Sequence, residues 1–404
     1  MQRLDIAIAG CGPAGLAAAL LLHRDGHSVT LFERFDTPQP VGSGLMIQPT
    51  GFAVLRHLGL DTALLDHGAR VDRLRGEAGT SGRAVLDVQY AALGHDGGFG
   101  VGVHRATLFA LLHNAVVAEG IAIARGHAVI GSERLSDDRR RLLLDDASSA
   151  GPFDLIVDAL GTRTPLAPPC GRALAYGALW GTLDWPDTTA LDPAALEQRY
   201  RRASVMVGVL PIGRFPDSAT QKAAFFWSLR ADRLDHWQAS GLDAWKSDVA
   251  NLWPATRPLL DQIVTSNQLT FARYAHRTLP SPAEPGMIHL GDAWHSASPQ
   301  LGQGANMALL DAYALALAMR GAGDVATALQ RAVASRRRHV RLYQTLTALF
   351  TPVYQSDSYV LPFVRDRIVG PVSKLWPATW IQAAMVSGLV GDPLGPLGLR
   401  LPTD

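Results

Sequence analysis

Three glycines, Gly10, Gly12 and Gly15, punctuate "IAIAGCGPAGLAAALLLHRDGHSVTLFER", which runs from Ile6 to Arg34. Near the other end, "GDAWHSASPQLGQGANMALLDA" (Gly291–Ala312) sets an acid, a proline and a second glycine-rich turn before an apolar run. In the first stretch the G-x-G-x-x-G spacing suits phosphate. One glycine permits a tight turn, the next lets backbone approach a pyrophosphate, and the third lets helix and strand pack closely. Pro13 and Ala14 open the helix, whose first N–H groups and positive dipole end attract an anion. Glu33 follows Gly15 by eighteen residues, where a carboxylate accepts hydrogen bonds from ribose hydroxyls. Arg34 beside it joins the same candidate set. The fingerprint predicts a bound dinucleotide and leaves FAD and NAD both open.

In the second stretch Asp292 follows the apolar strand Met287–Leu290 and is placed to accept from a polyol hydroxyl. Gly302, Gln303, Gly304, Ala305 and Asn306 fall at a helix start. Backbone N–H groups there would face a ring edge that gains negative charge on reduction, as a flavin's N1–O2 edge does. Pro299 would form a rigid apolar wall beside the ring. Two glycine-rich helix starts so far apart point to one large cofactor held from both sides.

These turns need elements to carry them. Leu4–Ala9 and Ser28–Phe32 read as strands flanking a helix over Pro13–Arg24, a βαβ unit. Helices are expected around Gly51–Leu58, within Val103–Gly120 and from Gly304 to Arg320. "RRRLLLDDAS" reads as a hairpin end, and Phe153–Gly161 as a buried strand closing in a glycine turn. Between Ala175 and Arg277 the segments "YGALWGTLDW", "SVMVGVLPIG" and "AAFFWSLR" predict an antiparallel sheet, with a helical stretch over Leu234–Trp253. The expected fold is α/β: a discontinuous Rossmann-like dinucleotide-binding domain (FAD-binding, by the resemblance given below), an inserted antiparallel-sheet domain that would take the substrate, and C-terminal helices. The boundaries expected are 1–174 (with sheet-domain segments around 70–100), 175–277, 278–320 and 321–404.

At 404 residues, with 48% apolar and 18% charged residues, the chain has globular composition. Its formal charge of +1 and the absence of a basic stripe with interleaved aromatics exclude a nucleic-acid partner. Two cysteines, Cys11 and Cys170, make neither a disulfide framework nor a cysteine metal site, and no metal ligand set is expected. A reducing cytoplasm fits. The apolar run Ile6–Leu22 is broken by Gly10, Gly12, Pro13 and Gly15, which argues against a signal peptide or membrane span.

The second stretch resembles the signature of the FAD-dependent aromatic hydroxylases, single-component flavoprotein monooxygenases of the para-hydroxybenzoate hydroxylase fold. Gly291, Asp292, Ala293, His295, Pro299, Gly302, Gly304, Asn306, Asp311 and Ala312 match it, with Trp294 replacing a small residue. "GSGLMIQPTGFAVLRHLGL" and "VHRATLFALL" look like two further family segments, and the latter implies that Arg105 lies near the flavin's ribityl or phosphate groups. The resemblance covers about residues 4–320. It implies an enzyme in which NADH or NADPH reduces FAD and O2 forms a flavin C4a-hydroperoxide. That species would hydroxylate an electron-rich aromatic or quinol-like molecule.

One position departs from the pattern. The family's G-A-D-G-x-x-S segment aligns with "DALGTRT", so Leu160 stands where the acid is usual, while Gly161 and Thr164 keep the turn and hydroxyl. A flavin-binding protein or oxidoreductase with altered or lost NAD(P)H-driven turnover is therefore the alternative. An NAD-dependent dehydrogenase would need only the first fingerprint, and Asp292 argues against it. His295 and Asp311 are expected to be structural. Trp180, Trp227, Tyr274 and His276 are weighed between cavity lining and core, and no catalytic base is assigned. The apolar C-terminal stretch Val360–Gly391 reads as helix packing, with a lipophilic cavity cover or peripheral membrane contact as the other reading. Substrate and oligomeric state are not legible.

Overall fold

The computed structural model describes residues 2–37, 42–94, 98–370 and 373–401. Its first layer is a six-stranded sheet in the order Ala283–Glu284, Met287–His289, Leu155–Asp158, Asp5–Ala9, Ser28–Glu33 and Ala122–Arg125. All its neighbours are parallel except the first pair. The strand Asp5–Ala9 has no solvated face, as expected for parallel sheets. Ile6 and Ile8 join the core under the helices, whereas Ala7 and Ala9 meet Val129, Leu142 and Ile156 on the other side. That second side is covered by the three-stranded sheet Val129–Arg134, Arg140–Leu144 and Ser149–Phe153.

The expected helix over Pro13–Arg24 has those bounds. It packs against a second long helix, Gly304–Gly321, so the helices that follow the two glycine-rich turns lie side by side.

The second large sheet has eight strands, ordered His295–Ser296, Thr270–Thr278, Arg172–Asp184, Lys222–Arg230, Val205–Pro211, Ala195–Arg201, Arg73–Ala78 and Arg83–Gln89. It departs from the expected antiparallel sheet at one seam: Ala195–Arg201 pairs in parallel with Arg73–Ala78. The cause is topological, because those partners arrive from the earlier 70–100 region rather than by a hairpin. The single helical stretch expected over Leu234–Trp253 is two helices, Leu234–Ser240 and Leu242–Leu252, split by Gly241 at φ +82°.

Strand alternation divides this sheet into two faces. Leu179, Leu183, Val207, Val209, Phe225 and Trp227 point to the outer face, where the two short helices seal them. Trp245 is the centrepiece there, with the rings of Phe225, Trp227 and Trp237 edge-on at 6.0, 6.1 and 6.0 Å. The inner face presents Trp180, Met206, Leu210, Ala224 and Phe226 toward the rest of the molecule.

The remaining chain closes the body with the helix Val325–Tyr354 and the shorter helix Ala378–Ser387, whose Ala383 and Val386 are buried against the inner face. Between them Tyr359, Phe363, Ile368, Leu375 and Trp376 are exposed. Pro371 and Val372 of the apolar C-terminal stretch lie outside the described residues. Among the described residues no helix is long and apolar enough to cross a membrane.

The tryptophan cluster gives a stability test. Trp245→Ala removes the ring that all three neighbours touch, and large-to-small core changes of this kind cost about 3–5 kcal/mol. A denaturant titration should show that loss, and a loss below about 1 kcal/mol would mean the two helices do not seal this face.

Candidate functional site

The first turn divides its three glycines between two kinds of duty. A Cβ on Gly10, which sits at φ +103°, would lie 2.6 Å from the Ala159 carbonyl oxygen, and one on Gly15 would lie 2.0 Å from the Gly10 carbonyl oxygen. Both glycines are therefore demanded by the protein's own backbone. A Cβ on Gly12 would meet only Ala159 O, at 3.9 Å. Among the described residues nothing requires a glycine at position 12.

Gly12 caps the helix in extended conformation without a side-chain cap, and Pro13 has no N–H to lose. The first helical turn therefore keeps unpaired N–H groups at Ala14 and Gly15. Glu33 is braced beside them, its two carboxylate oxygens accepting from the N–H groups of Cys11 and Phe35, each at 3.2 Å. Arg34 is exposed and lies over the Phe35 ring at 4.5 Å. Burial, followed by the Glu33 charge, pushes the Cys11 thiol up to about 12, so it stays protonated.

The second turn comes to the same place. Gly291, at φ +56°, has its ideal Cβ position 3.5 Å from Ala14 Cβ and 3.0 Å from Ala308 Cβ. The sheet makes this contact: Met287–His289 pairs with Leu155–Asp158, which pairs with Asp5–Ala9, and all three strands end at one edge. Asp292 stands on this turn, exposed to solvent yet with protein packed around it. That surrounding removes much of the carboxylate's hydration and raises its pKa, against the opposing charges of His295 and Arg105. Among the described residues no hydrogen bond or ion pair involves the Asp292 carboxylate.

Pro299 is exposed and starts a short turn ending at Gly302, φ +62°. Gln303 precedes the long helix without a side-chain cap, and a Cβ on Gly304 would meet nothing within 4 Å. Gly304 and half-buried Ala305 thus repeat the open helix start of Gly12. Asn306 differs. It is fully buried, its Oδ1 accepting from Gln48 N at 2.8 Å and its Nδ2 donating to Met46 O and Gly302 O at 3.1 and 2.9 Å. Among the cofactor candidates it is the one that holds the turn in place from within.

Arg105 starts the helix Arg105–Ala118 and is exposed. Its charge reaches Asp292, Tyr274 and His104. The helix is capped by His104, whose Nδ1 accepts from Ala106 N at 3.0 Å. Its Nε2–H then faces Thr182 Oγ1 at 3.2 Å, and Thr182 meets Ser43 Oγ at 3.0 Å. Burial, helped by Arg105, lowers the His104 pKa to about 4, consistent with a neutral ring in both bonds.

The four aromatic candidates separate. Trp180 Nε1 donates to the Tyr274 hydroxyl at 2.8 Å, which fixes the pair on the inner sheet face near Arg105. Burial pushes the Tyr274 hydroxyl up to about 12, with the Trp180 bond and Arg105 opposing. Trp227 takes the core position: it points to the outer face and packs on Trp245. His276 pairs in register with Arg172 at the strand's far end.

Sequence reasoning assigned no role to Asp158. It is fully buried, accepting from Leu160 N (3.0 Å), Thr164 Oγ1 (2.7 Å) and His289 Nδ1 (2.6 Å). Its only local signal is the strand-end position in "VDALG". Leu160 itself is half-buried against the cluster of Ala9, Phe32 and Ile156. Arg277 donates to Thr162 O and Ala293 O at 3.0 and 3.2 Å, joining this turn to the Asp292 turn. Among the described residues no group of acids, histidines and cysteines could hold a metal.

A family model described as an FAD binding domain matches residues 3–151. The chain is 26% identical over 330 residues to the 3-amino-4-hydroxybenzoate 2-monooxygenase of Streptomyces cremeus, covering 77% of each chain. It is 23% identical to the 3-hydroxybenzoate 6-hydroxylase 1 of Aquipseudomonas alcaligenes, covering 94% of this chain and 96% of the other. Among solved structures, Klebsiella pneumoniae HpxO complexed with FAD and uric acid superposes with a TM-score of 0.79 at 20% identity, covering 96% and 98%.

Gly12→Ala should leave the melting temperature of cofactor-stripped protein unchanged while sharply weakening FAD uptake; Gly15→Ala should lose the fold itself. Equal stability losses in the two variants would contradict the division of duties. His104 supplies a pH test. Its folded pKa lies below the ordinary value of 6.5. It therefore contributes stability that is complete above pH 6.5 and lost as pH falls toward about 4. His104→Asn keeps a cap acceptor without the titration, so its melting temperature should fall less steeply over that window. Parallel curves for the two proteins would refute this.

Proposed function

Since the chain belongs to the FAD-dependent aromatic hydroxylases, a monooxygenase family, we propose that the crevice between the two glycine-rich turns seats one FAD along its length. The observation that carries this reading is the pair of open helix starts at Gly12 and Gly304, meeting over an unpartnered Asp292. In this arrangement Glu33 accepts from the adenosine ribose, and the N–H groups of Ala14 and Gly15 hold the pyrophosphate. Arg105 supplies a cation along the crevice, and Asp292 accepts from the ribityl chain. The helix start at Gly304 and Ala305 faces the pyrimidine edge, with Pro299 against the ring.

The chemistry a bound flavin would supply is acceptance of electrons from NADH or NADPH and transfer of one atom of O2 to an electron-rich aromatic or quinol-like substrate. The chain's own part is to orient that substrate and exclude water. Trp180 and Tyr274 form the wall for it. Because the Tyr274 oxygen already accepts from Trp180, its O–H is the group free to donate to a substrate oxygen. Its raised pKa keeps that proton on the phenol at neutral pH.

Leu160 supports a second reading, a flavoprotein with altered or lost NAD(P)H-driven turnover. No acid stands at that position, and the nearest one, Asp158, is turned inward and fully bonded. Oxygen consumption by FAD-loaded protein on addition of NADH or NADPH, with a panel of phenols and quinols, separates the readings. Consumption stimulated by one of those compounds supports the hydroxylase; none with any pair supports the second.

Glu33→Ala and Asp292→Ala each remove a charged acceptor from a cofactor hydroxyl, a bond worth about 1.5–3 kcal/mol. FAD affinity should fall by about tenfold to more than a hundredfold, measured by fluorescence titration of stripped protein. Undiminished affinity in both variants would refute the seat.

A further inference from the structure

The Asp292 turn and the Gly302–Gly304 turn are joined through the protein's interior. On one side the Gly291 N–H donates to Asp311 Oδ2 at 3.0 Å, and His295 Nε2 meets the same oxygen at 2.6 Å. Arg336 Nε donates to Asp311 Oδ1 at 2.8 Å, and Arg336 Nη1 donates to His339 Nδ1 at 3.1 Å. Burial works against the Asp311 carboxylate, but the His295 and Arg336 charges and bonds outweigh it and hold its pKa below the ordinary value.

On the other side His339 Nε2–H donates to the Gly388 carbonyl at 2.9 Å. Gly388 ends the helix Ala378–Ser387, whose last carbonyls have no partner within the helix. Side chains take them one by one: Gln303 Nε2 donates to Val386 O at 2.6 Å, Thr50 Oγ1 to Ser387 O at 3.3 Å, and Tyr343 to Met385 O at 3.0 Å. Gln303 is the residue between Gly302 and Gly304. The end of this helix is therefore bonded both to His339 and to the second cofactor turn.

We propose that His339 is a positioning residue that couples the Asp292 turn to the helix start at Gly304 in the flavin seat. Through Arg336 and Asp311 it fixes Gly291 and the aim of Asp292; through Gly388 and Val386 it fixes Gln303 and the helix start that follows. Each nitrogen of its ring is committed in one direction, Nδ1 accepting from a guanidinium and Nε2–H donating to a carbonyl. Only a neutral imidazole does both, and burial beside Arg336 lowers its pKa to about 3.

The inference rests on the proposed FAD seat, so its test reads the flavin and the fold separately. The midpoint potential of bound FAD, melting temperature and FAD content are compared for wild type, His339→Leu, His339→Gln and Gln303→Met. A loosened second turn presents its N–H groups and dipole less well to the charge gained on reduction. His339→Leu should thus retain FAD but shift the potential negative by about 30 mV, tenfold for a two-electron couple. His339→Gln, which can still accept from Arg336 and donate to Gly388, should stay within about 10 mV of wild type, twofold on that scale. Gln303→Met cuts the tie at its other end and should reproduce the negative shift, which keeps the test decisive if His339→Leu does not fold. Unshifted potentials in the folded variants, whatever their melting temperatures, would overturn the coupling. Wild-type protein that takes up no FAD would overturn the proposed function and this inference together.

Discussion

The approach of Gly10 to Ala159 and of Gly291 to Ala14 is the constraint on which the site depends. Three parallel strands, Asp5–Ala9, Leu155–Asp158 and Met287–His289, end at one edge, so three turns distant in sequence share one small volume. The backbone contacts there are too close for side chains at Gly10 and Gly15. Parallel strands need crossovers, and the helices Pro13–Arg24 and Gly304–Gly321 that follow two of these turns lie against each other on the sheet. The starts of these two helices thereby lie near one another at the same edge of the sheet.

That convergence brings like partial charges together, and the surroundings answer it with acceptors. Glu33 accepts from the backbone of the first turn, Asp311 from Gly291 N, and Asp292 projects into the crevice itself. Two of these carboxylates are already engaged by protein donors. Asp292 alone among the three has no protein donor among the described residues. The opposite wall is of another character. Trp180 and Tyr274 belong to a sheet whose outer face is sealed by Trp245 and its neighbours, and on its inner face the Tyr274 oxygen already accepts from Trp180.

The fold was legible in the sequence where a chemical requirement and a periodicity coincide. The first helix is bounded by Pro13 and the polar turn after Arg24, and its limits follow from those residues. The second turn was legible for the same reason, and so was a structural role for Asp311 and His295. Alternation revealed strands but not which face would be covered, and Trp227 was left between core and cavity because "AAFFWSLR" is apolar on both faces. The parallel seam between Ala195–Arg201 and Arg73–Ala78 joins segments over a hundred residues apart, and nothing local encodes it. Asn306 lies in a cofactor motif, yet its partners Gln48 and Met46 come from a distant strand that the motif does not name. Asp158, Arg336 and His339 escaped for that reason too: each is defined by bonds across the core.

The central claim is that both helix starts hold one cofactor, and hydrogen–deuterium exchange of the stripped protein with and without added FAD tests it most directly. The amides of Ala14–Gly15 and of Gly302–Asn306 are compared at equal FAD occupancy. Slowed exchange at both, rising together along the titration, is the predicted result. Protection confined to the first turn, with Gly302–Asn306 unchanged, would contradict the account and leave a nucleotide held by the fingerprint alone.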